Sequence, residues 1–213
     1  MEMKRVVLAV SSIVISQILP LLGKPELIIH NRNIVIMVAN AAIWLTQPPV
    51  SGTETVENRD RDKFSVLLIL LSSIGSIIFS VIDWAYLHQT LTSDYLLIIG
   101  LIFIIFGIIL RSWSIQILGK FFTPTIQIKE DHALIIKGPY SIVRHPSYLG
   151  AWATVTGAAI FFGSYIGFFV ALAGMGIAYY IRIDLEEKAL TEVFGQQYKN
   201  YQHRVKKIIP FVW

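Results

Sequence analysis

The sequence predicts an all-α fold, a polytopic transmembrane helical bundle of five to six membrane helices that ends in a helical hairpin. Of its 213 residues, 54% are hydrophobic and only 15% are charged, whereas a soluble domain carries roughly 25% charged residues. The apolar residues stand in long runs instead of alternating with polar ones, and such runs indicate membrane helices. We divide the chain into residues 1–118, with four spans, and residues 119–213, with the hairpin and the longest polar stretches.

The first four spans are predicted where apolar runs approach about 20 residues, the length that crosses a hydrocarbon core. They cover residues 5–22, 34–45 with their flanks, 64–82 and 95–118. The first run is interpreted as a span and not as a cleavable signal, because residues 20–24 lack the small side chains of a cleavage site. Residues 47–62 are polar and are predicted to form a connecting loop.

The last apolar region, residues 148–183, is too long for one span. As a single helix it would extend about 54 Å, against a hydrocarbon core of about 30 Å. Turn-forming residues, including Gly163 and Ser164, stand near its middle and predict two helices joined by a tight hairpin. Beyond Tyr180 the pattern predicts an amphipathic helix to about Phe194, a break at Gly195 and a short helix to about Val205.

The distribution of basic residues predicts the orientation in the membrane. If the N-terminus is cytoplasmic and the first four spans alternate, the basic side chains outside are Lys24 and Arg32, and Arg111 lies inside a span. Every other Lys and Arg is then cytoplasmic, provided that the last region turns back as a hairpin. Basic residues favour the cytoplasmic side of a membrane. We therefore predict a multi-pass protein with both termini in the cytoplasm.

Several functional classes have no support in the sequence. The chain contains no Cys, which excludes disulfides and Cys-based nucleophiles or metal ligands. Glycine-rich nucleotide motifs, metalloprotease His pairs and serine nucleophile elbows are also missing from it. The net charge of +4 is better explained by loop topology than by a nucleic-acid partner. We predict no bound metal and no nucleic acid, and the oligomeric state stays open.

Two polar stretches, residues 119–147 and the tail after Ile181, share the predicted cytoplasmic face. Within the first, residues 125–128 and 133–136 flank a polar turn and are predicted to form two short strands. At its end, Pro146 suits the first turn of a helix. The amide groups and positive dipole end of such a helix can hold an anion. The alternative is an ordinary interfacial helix start with a snorkelling Arg and a belt of aromatic rings.

Arg182 and Glu186 lie four residues apart and so on the same face of the predicted tail helix. An Arg can hold a carboxylate in a two-pronged fork, and a Glu can accept hydrogen bonds from a ribose or an amine. The alternative is a simple ion pair on a helix surface. Nearby tyrosines could face an adenine ring or a sulfonium, or could form an interfacial belt. They are Tyr140, Tyr148, Tyr198 and Tyr201.

Three segments carry a resemblance to a known family: residues 137–150 read KGPYSIVRHPSYLG, residues 182–187 read RIDLEE, and residues 194–201 read FGQQYKNY. Taken together, these segments resemble the isoprenylcysteine carboxyl methyltransferase family. The final Ile209-Pro210-Phe211 also fits the family's ending, and the resemblance extends from about Gly119 to the C-terminus. Phospholipid N-methyltransferases and NADPH-dependent membrane sterol reductases have similar Arg-His-Pro-x-Tyr-x-Gly stretches, and they stand as alternatives. A third alternative is a non-enzymatic membrane protein, such as a small scaffold or transporter, which would bind no cofactor.

The resemblance implies S-adenosylmethionine as the methyl donor and S-adenosylhomocysteine as the product, bound in a cytosolic pocket that the C-terminal segment closes. It implies that the acceptor is the carboxylate of a prenylated cysteine or a similar lipid-modified cysteine, which enters from the membrane lipids between the helices. Arg182 matches the residue that contacts this carboxylate, and Arg182 and Glu186 are the implied catalytic pair. The implied cofactor-binding positions are Gln127, His132, Ala133, Leu134, Ile135, Tyr140, His145, Pro146, Ser147, Tyr148 and Glu186.

Overall fold

The computed structural model describes residues 2–46, 59–87, 93–122 and 133–209, and helices dominate all four ranges. Three π-helical turns extend or join these helices, at Val14–Ile18, Asp83–Leu87 and Val170–Gly174. The predicted all-α class is confirmed. The α-helices are α1 (Glu2–Ile13), α2 (Asn31–Thr46), α3 (Arg59–Ile82), α4 (Asp94–Leu118), α5 (Pro146–Phe162), α6 (Tyr165–Phe169), α7 (Met175–Phe194) and α8 (Gln196–Arg204).

Helical segments long and apolar enough to cross a membrane occur four times in the described ranges. They are Met3–Leu21, Phe64–Leu87, Asp94–Phe121 and Tyr165–Phe194. Three of them correspond to the first, third and fourth predicted spans, and the last contains the second arm of the hairpin. With 16 residues, α2 is too short to qualify, and so is α5 with 17. Four of the predicted five to six spans are therefore supported.

The predicted hairpin is confirmed. The first arm, α5, ends at Gly163, whose φ of 75° is a left-handed conformation that glycine adopts without strain. Ser164 then caps α6, since its hydroxyl accepts a hydrogen bond from the Gly167 amide at 2.9 Å. Across the hairpin, the indole of Trp152 donates to the Ala171 carbonyl at 3.0 Å. The chain therefore reverses and brings α7 back along α5.

The tail also follows the prediction, but the predicted strand pair does not. α7 ends at Phe194, Gly195 breaks the helix with φ at 51°, and α8 continues to Arg204. Residues 133–136 have no regular secondary structure, and no ladder pairs them within the described ranges. The strand predicted there is therefore wrong. Its predicted partner, residues 125–128, and the intervening turn lie outside the described residues.

Glycines bring α4 and α5 into direct backbone contact. A Cβ atom added to Gly150 would lie 2.7 Å from the amide nitrogen of Arg111 and from the Gly107 carbonyl oxygen. One added to Gly157 would lie 2.8 Å from the Gly100 carbonyl oxygen. Small residues allow membrane helices to approach this closely. The contact fixes the beginning of α5 against the C-terminal half of α4.

Two clusters of buried side chains hold the bundle together. The larger joins α2, α3, α4 and α5. The smaller consists of residues from α5, α7 and the segment after α8, namely Ala151, Met175, Tyr179, Ile183 and Ile208. Because Ile208 is fully buried in the smaller cluster, the segment after α8 is anchored to the hairpin. This anchoring positions the polar residues described next.

Candidate functional site

The segment ahead of α5 pairs with the segment after α8. The Arg144 amide donates to the Lys206 carbonyl at 2.8 Å, and the His145 amide donates to the Lys207 carbonyl at 2.9 Å. Val143 and Lys206 form a parallel β-bridge at the same place. The two polar stretches that the sequence singled out therefore meet, and they do so through backbone hydrogen bonds.

Glu187 is the centre of a buried polar cluster that we call the Glu187 clasp, formed by Arg144, His145, Glu187, Gln202 and Lys207. Its Oε1 atom lies 2.7 Å from Nε of Arg144 and 3.1 Å from Nε2 of His145. Its Oε2 atom accepts from the Gln202 amide at 3.1 Å and lies 3.8 Å from Nζ of Lys207. The clasp therefore ties α7 both to the beginning of α5 and to the tail.

Arg144 has further partners in the tail. Its Nη1 atom donates to the Gln202 carbonyl at 3.1 Å and also to the Val205 carbonyl. A buried guanidinium requires both a counter-charge and hydrogen-bond acceptors. Glu187 provides the charge and the tail provides the carbonyls, so Arg144 is held on three sides.

Beside the clasp, Tyr148 connects Arg182 and Glu186, and we call these three residues the polar triad. The Tyr148 hydroxyl donates to Oε2 of Glu186 at 2.6 Å and accepts from Nε of Arg182 at 3.3 Å. Nη1 of Arg182 also donates to the Ser65 hydroxyl at 3.3 Å. Arg182 is only 2% exposed, whereas the Glu186 side chain is 29% exposed. The triad thus presents a buried cation next to a carboxylate that reaches the surface.

The aromatic rings form a stack that continues inward from the clasp. The ring of His145 lies on that of Tyr148 at 5.6 Å with an interplanar angle of 3°. Tyr148 in turn stacks on Tyr179 at 4.9 Å and 17°. Because the triad hydroxyl belongs to the middle ring, the stack fixes its direction.

The other predicted tyrosines are buried within the protein and do not form an exposed interfacial belt. The Tyr201 hydroxyl donates to the Tyr140 carbonyl at 2.5 Å, and the Tyr140 hydroxyl donates to the Ser114 carbonyl at 3.4 Å. Burial raises the pKa of both hydroxyls well above the ordinary tyrosine value. Both therefore remain neutral donors and attach α8 and the Gly138–Ser141 turn to α4.

A cavity of about 130 Å³ lies among α1, α2, α3, α4, α5 and α7. Its walls are mostly apolar, with Ile36, Ile69 and Met175 among the lining residues. Arg111 and Tyr179 also line it, so the inner ring of the aromatic stack is part of the cavity wall. The cavity can accept an apolar group close to the polar triad.

The structure brings together most of the site residues implied by the resemblance. Ala133, Leu134 and Ile135 lie in the irregular segment before the Gly138–Ser141 turn, and no described contact joins them to the triad. Gln127 and His132 lie outside the described residues. The remaining implied site residues lie around the beginning of α5 and the middle of α7, and they are Tyr140, His145, Pro146, Ser147, Tyr148, Arg182 and Glu186.

Sequence reasoning missed several residues of this site. Arg144 and Glu187 stood inside the quoted motifs, but nothing in their spacing distinguished them from solvated charges. Arg111 carried a usable signal, because a lone cation inside a predicted span is uncommon and marks a functional position. Ser65, Gln202 and Lys207 carried none, since they reach the site only through tertiary contacts.

Comparison with known proteins places these features in one family. The model described as "Isoprenylcysteine carboxyl methyltransferase (ICMT) family" matches residues 98–192, which include α5 and most of α4 and α7. A protein-S-isoprenylcysteine O-methyltransferase of Dictyostelium discoideum is 30% identical over 178 residues, which are 79% of this chain and 70% of that protein.

Two further comparisons agree. Protein-S-isoprenylcysteine O-methyltransferase B of Arabidopsis thaliana is 37% identical over 115 residues; the match spans 53% of this chain and 58% of that relative, less than two thirds of its length. The solved structure of the eukaryotic intramembrane Ras methyltransferase ICMT, determined without a monobody, superposes with a TM-score of 0.66 at 26% identity. The superposition covers 98% of this chain and 75% of that one.

Proposed function

Because the chain belongs to the isoprenylcysteine carboxyl methyltransferase family, we propose that it transfers a methyl group from S-adenosylmethionine to the carboxylate of a prenylated cysteine, or of a similar lipid-bearing acid, to give a methyl ester. The observation that carries this proposal is the polar triad beside an apolar cavity. The buried guanidinium of Arg182 suits a carboxylate. The cavity suits the lipid that bears it.

The donor-binding residues are those around the beginning of α5, with Glu186 facing them. The chemistry that S-adenosylmethionine supplies is a methyl group on a positively charged sulfur, which a carboxylate oxygen can attack in line. The partly exposed carboxylate of Glu186 and the stacked rings of His145 and Tyr148 suit a ligand that carries an amine, hydroxyls and an aromatic base. Gln127, His132, Ala133, Leu134, Ile135, Tyr140, Pro146 and Ser147 complete the proposed set.

The chain's own residues act by positioning the acceptor. A terminal carboxyl group has a pKa of about 3.5 and is already ionised at neutral pH, so the site requires no general base. Arg182 orients the carboxylate, and its own hydrogen bonds to Tyr148 and Ser65 fix the position of its guanidinium. Its hold on the free acid must be moderate, because an interaction equally strong in the ground state and the transition state raises no rate. Burial of Arg182 excludes water from the acceptor carboxylate that it orients.

The cavity supports the membrane part of the proposal. Each CH₂ group removed from water contributes about 0.8 kcal/mol, so an isoprenoid chain favours lipid or an apolar cavity over solvent. We propose that the lipid enters between the helices from the bilayer, and that the triad and both termini face the cytoplasm. The excess of basic residues on that side supports this orientation.

A methyl-transfer assay tests the activity. Purified protein in lipid nanodiscs is given S-adenosylmethionine with a labelled methyl group and N-acetyl-S-farnesylcysteine. A farnesylated amine and N-acetyl-S-methylcysteine are run beside it as matched acceptors. We expect base-labile label on the farnesylated acid alone. Transfer to the amine instead would identify an N-methyltransferase, and binding of NADPH without S-adenosylmethionine would identify a reductase; either result overturns the proposal.

The proposed orientation has its own test. Since the chain contains no Cys, Lys129→Cys and Lys206→Cys each introduce a single reactive thiol. We expect a membrane-impermeant maleimide to label both from the cytoplasmic side in oriented vesicles. Labelling from opposite sides would contradict a pocket formed jointly by the two polar stretches.

A further inference from the structure

Arg111 is a buried cation for which the structure describes no counter-charge. It lies about two turns, or about 10 Å, before the end of α4, and it is only 6% exposed. Its Nη1 atom donates to the Ser147 carbonyl at 3.0 Å, but its Nε atom has no hydrogen-bond partner. Among the described residues no carboxylate pairs with it. A charge buried in this way is costly and marks a functional position in a membrane helix.

The hydrogen bond from Arg111 to the Ser147 carbonyl does not explain why this residue carries a positive charge. Accepting one hydrogen bond satisfies the Ser147 carbonyl, and a neutral donor such as an amide could provide it. A guanidinium carries five N–H donors, and its unpartnered Nε–H lies on the edge that binds carboxylates side-on together with a terminal nitrogen. The positive charge and the unused donor both indicate an anionic ligand.

The location of Arg111 identifies where that ligand belongs. Arg111 and Tyr179 both line the apolar cavity. On α7, Tyr179 precedes Arg182 by one helical turn, and on α5 the cavity-lining Ala151 follows Tyr148 by one turn. The cavity therefore begins about 5 Å from the polar triad, measured along α5 and α7. Arg111 lines this cavity, and its guanidinium also contacts Ser147, the residue before Tyr148.

We propose that Arg111 binds the carboxylate of the lipid-bearing acceptor together with Arg182, while the apolar part of that acceptor occupies the cavity. This inference rests on the proposed methyl transfer and adds a second cationic residue to its acceptor site. Two cations around one carboxylate distinguish the acid from its neutral methyl ester. The ester leaves Arg111 without a counter-charge, so the site prefers the acceptor over the product and favours release of the ester.

The test compares the acid and the ester as ligands. Affinities for N-acetyl-S-farnesylcysteine, its methyl ester and S-adenosylhomocysteine are measured for the wild-type protein, Arg111→Gln and Ser114→Ala. Glutamine keeps a donor for the Ser147 carbonyl and removes the charge. Ser114 lies on the same helix, outside the cavity lining, and its hydroxyl donates to the Leu110 carbonyl of that helix at 2.6 Å.

We expect Arg111→Gln to weaken binding of the acid by at least about tenfold, the size of one charge-assisted hydrogen bond, with the ester and S-adenosylhomocysteine changed less than about twofold. Ser114→Ala should keep the acid-over-ester ratio of the wild type. An equal loss for acid and ester, or an unchanged ratio, would overturn the role of Arg111 while leaving the methyl transfer intact. A wild-type protein that transfers no methyl group would instead overturn the proposed function.

A second measurement uses the folded wild-type protein, so it remains decisive if Arg111→Gln does not fold. The Nε–H group of Arg111 gives a nitrogen-correlated proton resonance, assigned by its absence from the spectrum of Arg111→Lys. Saturating acid should shift this resonance, because the carboxylate supplies the missing acceptor, and the ester should leave it in place. If saturating acid leaves the Arg111 Nε–H resonance unshifted, the proposal is overturned.

Discussion

Arg144 and Glu187, 43 positions apart in the sequence, form a buried ion pair in which Nε and Oε1 are 2.7 Å apart. The pair joins the beginning of α5 to the middle of α7, the two places that contribute the polar triad. The positions of Tyr148 and Arg182 relative to each other therefore depend on a contact that itself lies outside the triad.

Removing the charge of Glu187 should destabilise the protein more than removing a surface charge. Glu187→Gln leaves the buried guanidinium of Arg144 without its counter-ion, a loss of about 3–5 kcal/mol for a buried pair. Thermal unfolding in detergent measures the effect. Asp184→Asn is the matched control, since Asp184 forms an exposed ion pair with Lys188 on the same helix, of about 0.5 kcal/mol or less. Equal shifts in Tm for the two variants would show that the clasp contributes nothing special.

Removing the hydroxyl of Tyr148 should disrupt the triad while leaving the aromatic stack. Tyr148→Phe deletes the donor to Glu186 and the acceptor from Arg182, and hydrogen bonds to charged groups contribute about 1.5–3 kcal/mol. We expect affinity for S-adenosylhomocysteine to fall about tenfold or more in calorimetry, because Glu186 loses its orientation. Tyr165→Phe, at an exposed position of α6, should change nothing. Unchanged affinity in Tyr148→Phe would remove Tyr148 and its partner from the cofactor site.

Arg182 should be required for methyl transfer and largely dispensable for cofactor binding. Arg182→Ala removes the cation that orients the acceptor carboxylate, so we expect transfer to fall below detection with the S-adenosylhomocysteine affinity kept within about threefold. Ser65→Ala deletes the hydroxyl that accepts a hydrogen bond from Arg182 and should lower the rate about fivefold, as for a bond of about 1 kcal/mol. A parallel loss of cofactor affinity in Arg182→Ala would assign Arg182 to the donor instead.

The backbone contact between α4 and α5 should tolerate no side chain at Gly150. Gly150→Ala places a Cβ atom 2.7 Å from backbone atoms of Arg111 and Gly107, and overpacking of this kind costs about 1–3 kcal/mol. We expect a lower Tm. Gly75→Ala is the control, because a Cβ there has no neighbour within 4 Å among the described residues and should stabilise α3 by about 0.5–1 kcal/mol. A Gly150→Ala protein as stable as Gly75→Ala would contradict the close packing.

The helical fold could be predicted from the sequence because its signals are local. The length of an apolar run sets a span, and Gly163 and Gly195 mark the ends of helices where the backbone turns to positive φ. The strand expected at residues 133–136 is wrong because an apolar run of four residues beside a polar turn is too short to distinguish a strand from an irregular segment.

From the sequence, only those residues of the candidate site that lie in a recognisable motif could be predicted. In the stretch Arg182–Glu187, the spacing placed Arg182 and Glu186 on one face, but it did not distinguish the exposed Asp184 from the buried Glu187. That distinction depends on which neighbours arrive from α5 and the tail. Arg111 illustrates the same limit, because its position within a span was evident from the sequence whereas its contact with Ser147 required the packing of α4 on α5.

The bridge between Val143 and Lys206 also sets an order of events during biosynthesis. The segment ahead of α5 leaves the ribosome about sixty residues before the segment at Lys206 and Lys207 that pairs with it. Ribosomes synthesise chains at about 5–20 residues per second. For those seconds the amides of Arg144 and His145 have none of the acceptors that Lys206 and Lys207 later provide. The nascent helices can therefore enter the membrane first, and the Glu187 clasp is completed last, when the tail folds back onto α5.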